Sequence, residues 1–293
     1  MRQIDVVDRI ADTAWLDRAA GRVRDVVKKA LPPGRLKDAL HGVWLGHPVH
    51  PALAQFAVGC FTGAALLDMT GDRKHAAPRL IRFGVLASLP TAAAGLADYA
   101  DGLQEQQRIG VVHASSNTLA LAGYLASLRL RATGRRGRGV MLGLLAYTLA
   151  AVGATLGGDL SFRRAAGPNH AAEVPHTGPS DWTDLGAVGD FTEGGPVRRM
   201  AGLDPVLVLA ERGDFVVMYD RCTHLGGPLH KGEVVDRDGA RCVVCPWHGS
   251  VFRLADGGIV QGPATAPQPV LDCRVVNGRL EARVRPVAGE SAS

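Results

Sequence analysis

A chain of 293 residues, 46% hydrophobic but only 5% aromatic, with a formal charge of +5, has room for two domains of ordinary size. Its basic residues lie in short runs such as Arg135-Arg136-Gly137-Arg138 beside apolar segments rather than over a folded face, which argues against nucleic-acid binding and for membrane flanks. Five cysteines at uneven spacing are too few for a disulfide framework.

Residues 1–40 are charged and helix-like, without the apolar core of a secretory signal. Ile4, Val7, Ala11, Ala14 and Trp15, then Val23, Val26, Val27 and Leu31, recur at helical intervals. That spacing predicts one or two amphipathic helices, on a membrane surface or packed against another domain. Pro32-Pro33-Gly34 ends them.

Four apolar stretches follow, at 52–69, 80–97, 111–128 and 139–158, each near the roughly 20 residues a helix needs to cross a bilayer. A soluble bundle of unusually apolar helices is the alternative. Against it, the fourth stretch carries no charge, where a surface helix shows a polar face. Gln55, Asp68, Arg82 and Asn117 interrupt the other three, mostly near their ends. Pro90 is expected to kink the second, and Ala92-Ala93-Ala94-Gly95 to allow close helix approach. Residues 41–162 thus read as an all-α four-helix transmembrane bundle.

Residues 163–180, rich in Gly, Pro, Ala and His, read as a linker. From Asp181 the texture changes to short β-type runs: 206–209, 215–219, 241–244 and 280–284. Arg212-Gly213, Asp238-Gly239, Asp256-Gly257 and Asn277-Gly278 punctuate them, which predicts a small all-β domain over 181–286 and a disordered tail over 287–293.

Within that domain stand Cys222-Thr223-His224-Leu225-Gly226-Gly227-Pro228 and Cys245-Pro246-Trp247-His248-Gly249-Ser250. Two cysteines and two histidines make a legitimate tetrahedral zinc set. Zinc sites, however, usually keep cysteines together and histidines together. Alternation lets two facing loops present a cysteine pair beside a histidine pair, which suits two adjacent irons.

Residues 181–286 resemble a Rieske [2Fe–2S] domain. The resemblance implies that Cys222 and Cys245 bind one iron, that His224 and His248 bind the other, and that the loop 261–267, with Pro263, covers the cluster. High-potential members carry two further cysteines, forming a disulfide, where this chain has Gly227 and Trp247. They also carry a tyrosine where it has Phe252, whereas the hydroxyl of Ser250 is kept. Fewer hydrogen bonds to the sulfurs stabilise the added electron less. A potential in the lower half of the Rieske range, about −150 to +300 mV, is expected. Cys242 reads as strand packing, and Cys60 and Cys273 as buried small hydrophobes.

His47-Pro48-Val49-His50-Pro51 opens the first apolar stretch and His113 opens the third. Residues 41–170 resemble a four-span bacterial membrane domain of uncharacterised function, the DUF2231 type, marked by that entry and that histidine. Because spans alternate in direction, His47, His50 and His113 are expected on one membrane face with Asp98, Asp101 and Asp159. Histidines at membrane depth are candidates for function, here a haem b or proton site; capping of helix ends is the plainer reading. His170 and His176 read as solvated, and His230 as near the cluster without binding it.

The expectation is a multi-pass protein of the bacterial inner membrane that carries single electrons between donor and acceptor proteins or the quinone pool, in contact with membrane lipid. Tethered ferredoxin service to a separate oxygenase is one alternative; a non-redox or sensing module with a structural metal is another. The expected role is that of an electron-transfer protein or oxidoreductase subunit, with no complete catalytic domain expected in this chain. Arg73, Lys74, Arg79 and 129–138 favour one orientation, while Lys28, Lys29, Arg35 and Lys37 oppose it, so loop charge does not fix the side.

Overall fold

The computed structural model describes residues 3–71 and 76–284. The tail 287–293 and the basic residues Arg73 and Lys74 lie outside them. The described residues form a helical N-terminal region followed by a β-sheet domain, as expected.

The described residues divide into two compact units: 3–32 with 48–71 and 76–166, and 33–47 with 167–284. This differs from the expected boundaries, in which residues 1–40 stood apart. Helices α1 (Gln3–Asp12) and α2 (Asp17–Ala30) pack on the ends of the long helices. Val7 and Ala11 join Ile109 and Leu156 in one buried cluster, which is the use their helical spacing finds. The Arg108 guanidinium grips Asp17 at 2.6 and 2.9 Å, and Arg163 grips Asp8 at 2.6 and 2.7 Å. Helix α3 (Arg35–His41) packs instead within the second unit.

The long helices are α4 (Val49–Met69), α5 (Ala76–Ala100), α6 (Gln104–Ala132) and α7 (Arg136–Gly158). Three of them, α4, α5 and α7 with its continuation to Arg163, are long and apolar enough to cross a membrane. Helix α6 has the length, at 29 residues, but not the hydropathy. Ser115-Ser116-Asn117-Thr118, Ser127, Arg129 and Arg131 lower it. Even so, α6 exposes Leu119 and Leu125, as α4 exposes Phe56 and α7 exposes Leu145, so all these helices present apolar outer surface. Helix α5 runs unbroken through Pro90.

Helix α4 packs on α5 and α7, and α6 packs on the same two, so α4 and α6 face each other across the bundle. The hairpins α4–α5 and α6–α7 are built alike. Asp68 of α4 meets Arg131 of α6, 63 residues later, at 2.8 and 2.5 Å. Phe61 stacks on Tyr124 with ring centres 4.0 Å apart, and His50 faces His113 at 6.3 Å, both pairs at the same spacing in sequence.

The second unit holds two antiparallel sheets. The larger has the order β1 (Thr183–Ala187), β10 (Arg279–Arg283), β9 (Val270–Val276), β4 (Asp214–Tyr219), β3 (Asp204–Glu211), β2 (Val197–Ala201). The smaller runs β5 (Glu233–Arg237), β6 (Ala240–Val244), β7 (Val251–Arg253), β8 (Ile259–Gln261). Strand β3 is buried on both faces. Val206 and Val208 enter the core of the large sheet, while Leu207 and Leu209 enter a second core with Leu229, Val243, Phe252, Cys222 and Cys245. Three hairpins close through Arg212-Gly213, Asp238-Gly239 and Asn277-Gly278, each with positive φ at both central residues. That is the turn whose twist matches the flanking strands.

Candidate metal centre

Two loops carry the four ligand candidates, and they share one hydrogen-bond plan. In the first, between β4 and β5, the Cys222 amide donates to the Gly227 carbonyl at 2.9 Å and the Cys222 carbonyl accepts from the Gly226 amide at 2.8 Å. In the second, between β6 and β7, the Cys245 amide donates to the Ser250 carbonyl at 2.8 Å and its carbonyl accepts from the Gly249 amide at 3.0 Å. Gly226 and Gly249 have φ of 75° and 76°, a conformation glycine adopts without steric cost. The amides of His224 and Leu225 bond to the Cys222 sulfur, and those of Trp247 and His248 bond to the Cys245 sulfur.

Each loop therefore curls around its own sulfur, and the two sulfurs meet. Both cysteines are buried, with their thiols in mutual hydrogen-bond contact. That contact, then burial, pushes the Cys222 thiol well up; the same contact and the Trp247 and His248 amides pull Cys245 down to about 7. The imidazoles of His224 and His248 lie at the partly exposed edge, ring centres 5.0 Å apart and nearly perpendicular. Two converging thiols with amides aimed at each, beside two converging imidazoles, fit a cluster with one thiolate-held and one imidazole-held iron.

The residues around the four explain how they are held. A Cβ at Gly227 would come 2.8 Å from the Cys245 sulfur and 3.2 Å from the Trp247 indole. Gly227 and Trp247 thus do face each other, and the indole fills the space between the loops. Trp247 is 52% exposed, edge-on to His248 at 6.3 Å. Phe252 is fully buried beneath. The Ser250 hydroxyl accepts the Ala264 amide at 3.0 Å, tying the second loop to the segment 262–269, where Pro263 follows a cis peptide bond.

Several of these ties gave no signal in the sequence. Buried Gln268 donates to the Tyr219 and Arg221 carbonyls at 2.7 and 2.8 Å and accepts the Thr223 amide at 3.1 Å, bracing the first loop from the proline segment. Asp220, two residues before Cys222, accepts the His230 amide and ring Nδ1, both at 2.7 Å. His230 is therefore an outer brace of that loop. The His170 amide donates to the Thr223 carbonyl at 2.9 Å, so this linker residue is docked, not merely solvated. Asp38 of α3 accepts the Gly262 amide at 2.9 Å, and a Cβ at Gly262 would meet Val43 at 3.0 Å and His41 at 3.5 Å. Cys242 is buried in β6, opposite Val235 and Arg253, and Cys60 is buried in α4. Cys273 is half-buried.

The Rieske [2Fe–2S] domain family matches residues 181–276. The ferredoxin subunit of anthranilate 1,2-dioxygenase from Burkholderia cepacia is 34% identical over 105 residues, covering 36% of this chain and 94% of that subunit. The chain belongs to the Rieske [2Fe–2S] family. A human Rieske domain-containing protein is 46% identical over 52 residues, covering 18% of this chain and 33% of that protein. Among solved structures, the complex of reduced oxygenase and oxidized ferredoxin in carbazole 1,9a-dioxygenase matches 36% of this chain and 94% of the matched one at 28% identity, with a TM-score of 0.32. Residues 46–169 match a second family, described as a predicted membrane protein, DUF2231.

In the helical unit, His50 and His113 are brought together, whereas His47 precedes α4 and is exposed.

Proposed function

We propose that this Rieske protein is a membrane-anchored one-electron carrier, held in the bacterial inner membrane by the helical unit as a multi-pass anchor. Cys222 and Cys245 hold one iron and His224 and His248 the other. The observation that carries this reading is the matched pair of loops, each aiming two amides at its own cysteine while the cysteines and histidines converge in like pairs.

When bound, the cluster accepts and gives up one electron at a time. The chain's own residues tune and expose it. The amides of His224, Leu225, Trp247 and His248 stabilise negative charge on the sulfurs, and burial of Cys222 and Cys245 keeps water from them. His224 and His248, at the partly exposed edge beside Trp247, form the face through which a redox partner exchanges the electron. A large exposed aromatic beside the transfer edge suits protein docking. With Gly227 and Trp247 in place of a disulfide, and Phe252 in place of a tyrosine, the potential lies in the lower half of the Rieske range.

Likeness over nearly the full length of a dioxygenase ferredoxin subunit favours a second form of the same reading, a tethered ferredoxin serving a separate oxygenase. Electron paramagnetic resonance on the dithionite-reduced full chain tests the core claim. A Rieske-type signal lost on His224→Ala or His248→Ala is expected; a silent spectrum with stoichiometric zinc would end it. Reduction by a ferredoxin reductase, as against quinol, separates the two carrier forms.

A further inference from the structure

His50 and His113 do something no helix cap requires. His50 stands at the start of α4 and His113 lies inside α6, and the Nδ1 of each reaches across to a carbonyl in the C-terminal half of the partner helix of its hairpin. His50 meets the Thr91 carbonyl of α5 at 2.9 Å, 41 residues on, and His113 meets the Gly153 carbonyl of α7 at 2.8 Å, 40 residues on. A carbonyl can only accept, so in both rings Nδ1 carries the proton and Nε2 the lone pair. The close approach is built in. A Cβ at Gly95, one turn after Thr91, would lie 2.8 Å from His50 Nδ1, and one at Gly157, one turn after Gly153, would lie 3.1 Å from His113 Cε1.

Both rings are thereby fixed with the lone pair on Nε2, the second-shell arrangement that metal-bound histidines use. In His113 that lone pair accepts the Asn117 amide nitrogen at 3.2 Å, a bond that a ligand at Nε2 would replace. The ring centres are 6.3 Å apart, on helices that face each other across the bundle. With metal–nitrogen bonds of about 2.0–2.1 Å, two imidazoles at this separation can share one metal ion. One turn and more further along, the facing residues are small and buried, Ala57 and Ala120, before the Phe61–Tyr124 stack closes the axis.

We propose that His50 and His113 are the two axial ligands of a haem held within the helical bundle. A bare zinc site takes three or four protein ligands, whereas an iron porphyrin brings its own equatorial nitrogens and asks the protein for one or two axial ones. A pair contributed at matching positions by two like hairpins, with the small residues Ala57 and Ala120 beyond it, answers that demand. The proposal stands apart from the assignment of the Rieske ligands and needs none of them.

The test is optical and magnetic, on the full chain purified in detergent after expression with added iron and a haem precursor. Soret and α bands with a low-spin ferric signal are expected, at one haem per chain by pyridine haemochrome. His50→Gly and His113→Gly each lose the low-spin spectrum and regain it when free imidazole is added, while His47→Ala leaves it unchanged. Helical content by circular dichroism and a monodisperse elution in detergent match the parent in every variant and serve as the measure of folding of the bundle. Protein with parental helical content that contains no haem and does not shift the absorbance of added haemin would overturn the proposal, whether or not a Rieske signal is present. So would a low-spin spectrum that survives both glycine substitutions.

Discussion

Asp38 accepts a hydrogen bond from the Gly262 amide, 224 residues away in sequence, at 2.9 Å. The consequence is that a short helix preceding the first apolar helix helps hold the proline segment beside the Rieske loops. Gly262 is buried, so removing the carboxylate leaves its amide unpaired. An unpaired buried donor costs about 1–3 kcal/mol. Asp38→Ala is expected to release the cluster faster to an iron chelator, followed by loss of its visible absorbance, with the helical content of the protein unchanged. Asp38→Asn keeps an acceptor oxygen and should restore most of the retention. Equal release rates for all three proteins would show that α3 is a passenger.

The Ser250 hydroxyl oxygen accepts the Ala264 amide, and in the proposed cluster its proton would be given to a neighbouring sulfur. Ser250→Ala should therefore lower the midpoint potential and destabilise the β unit by about 1–3 kcal/mol, the cost of an orphaned buried amide. Phe252→Tyr should move the potential the other way by adding a donor where Phe252 is buried against the cysteines. Redox titration monitored by circular dichroism reads both, and a Ser250→Ala potential equal to or above that of the parent would contradict the assignment.

The β unit was legible in the sequence to a far greater depth than the helical unit, and the reason is physical. Strands of period two and two-residue turns with glycine are local signals, and the structure returns them in β3, β4, β6 and β10 with their hairpins. The braces were not legible. Asp38, Asp220 and Gln268 are ordinary polar residues whose partners are backbone groups of distant or unpatterned segments, and nothing in their own neighbourhood marks them. In the bundle, apolar composition gave the helices but hid their likeness. The pairing of His50 with His113, Phe61 with Tyr124 and Asp68 with Arg131 keeps position while changing residue type, so it emerges only once the helices are packed. Helix α6 also showed that length and periodicity do not settle hydropathy.

Acid should loosen the N-terminal helices before the β unit's hydrophobic cores. The hydrogen bonds from Arg108 hold the Asp17 carboxyl below its usual 3.8, and those from Arg163, with Arg164 adding to them, do the same for Asp8. A depressed folded-state value means that this stabilisation is complete above about pH 3.8 and lost as pH falls through the folded value. Hydrogen exchange of α1 and α2 is expected to be pH-independent in protection at neutral and mildly acidic pH and to lose protection below that threshold. Asp17→Asn should abolish the acid step at α2. Protection that falls instead near neutrality would place the control on another group.

The Asp68–Arg131 pair offers a test of the likeness between the hairpins. Its side chains are only 2% and 7% exposed, and Arg131 also reaches Ser127 at 3.1 Å while Ser127 donates to the Gly139 carbonyl at 2.6 Å. The pair therefore fastens α4, α6 and α7 at one end of the bundle. Removing one partner strands the other charge, which costs about 3–5 kcal/mol for a buried pair. Asp68→Ala and Arg131→Ala are each expected to lower the thermal midpoint of the detergent-solubilised protein steeply. Because the two residues occupy matching positions on like helices, the exchange Asp68→Arg with Arg131→Asp puts each charge where its partner stood. The double variant should recover at least half of the lost stability, less the bond to Ser127, which the exchanged geometry does not supply. A double variant no more stable than the worse single would mean that the surroundings of Arg131, not the pairing across like hairpins, set the polarity of this end of the bundle.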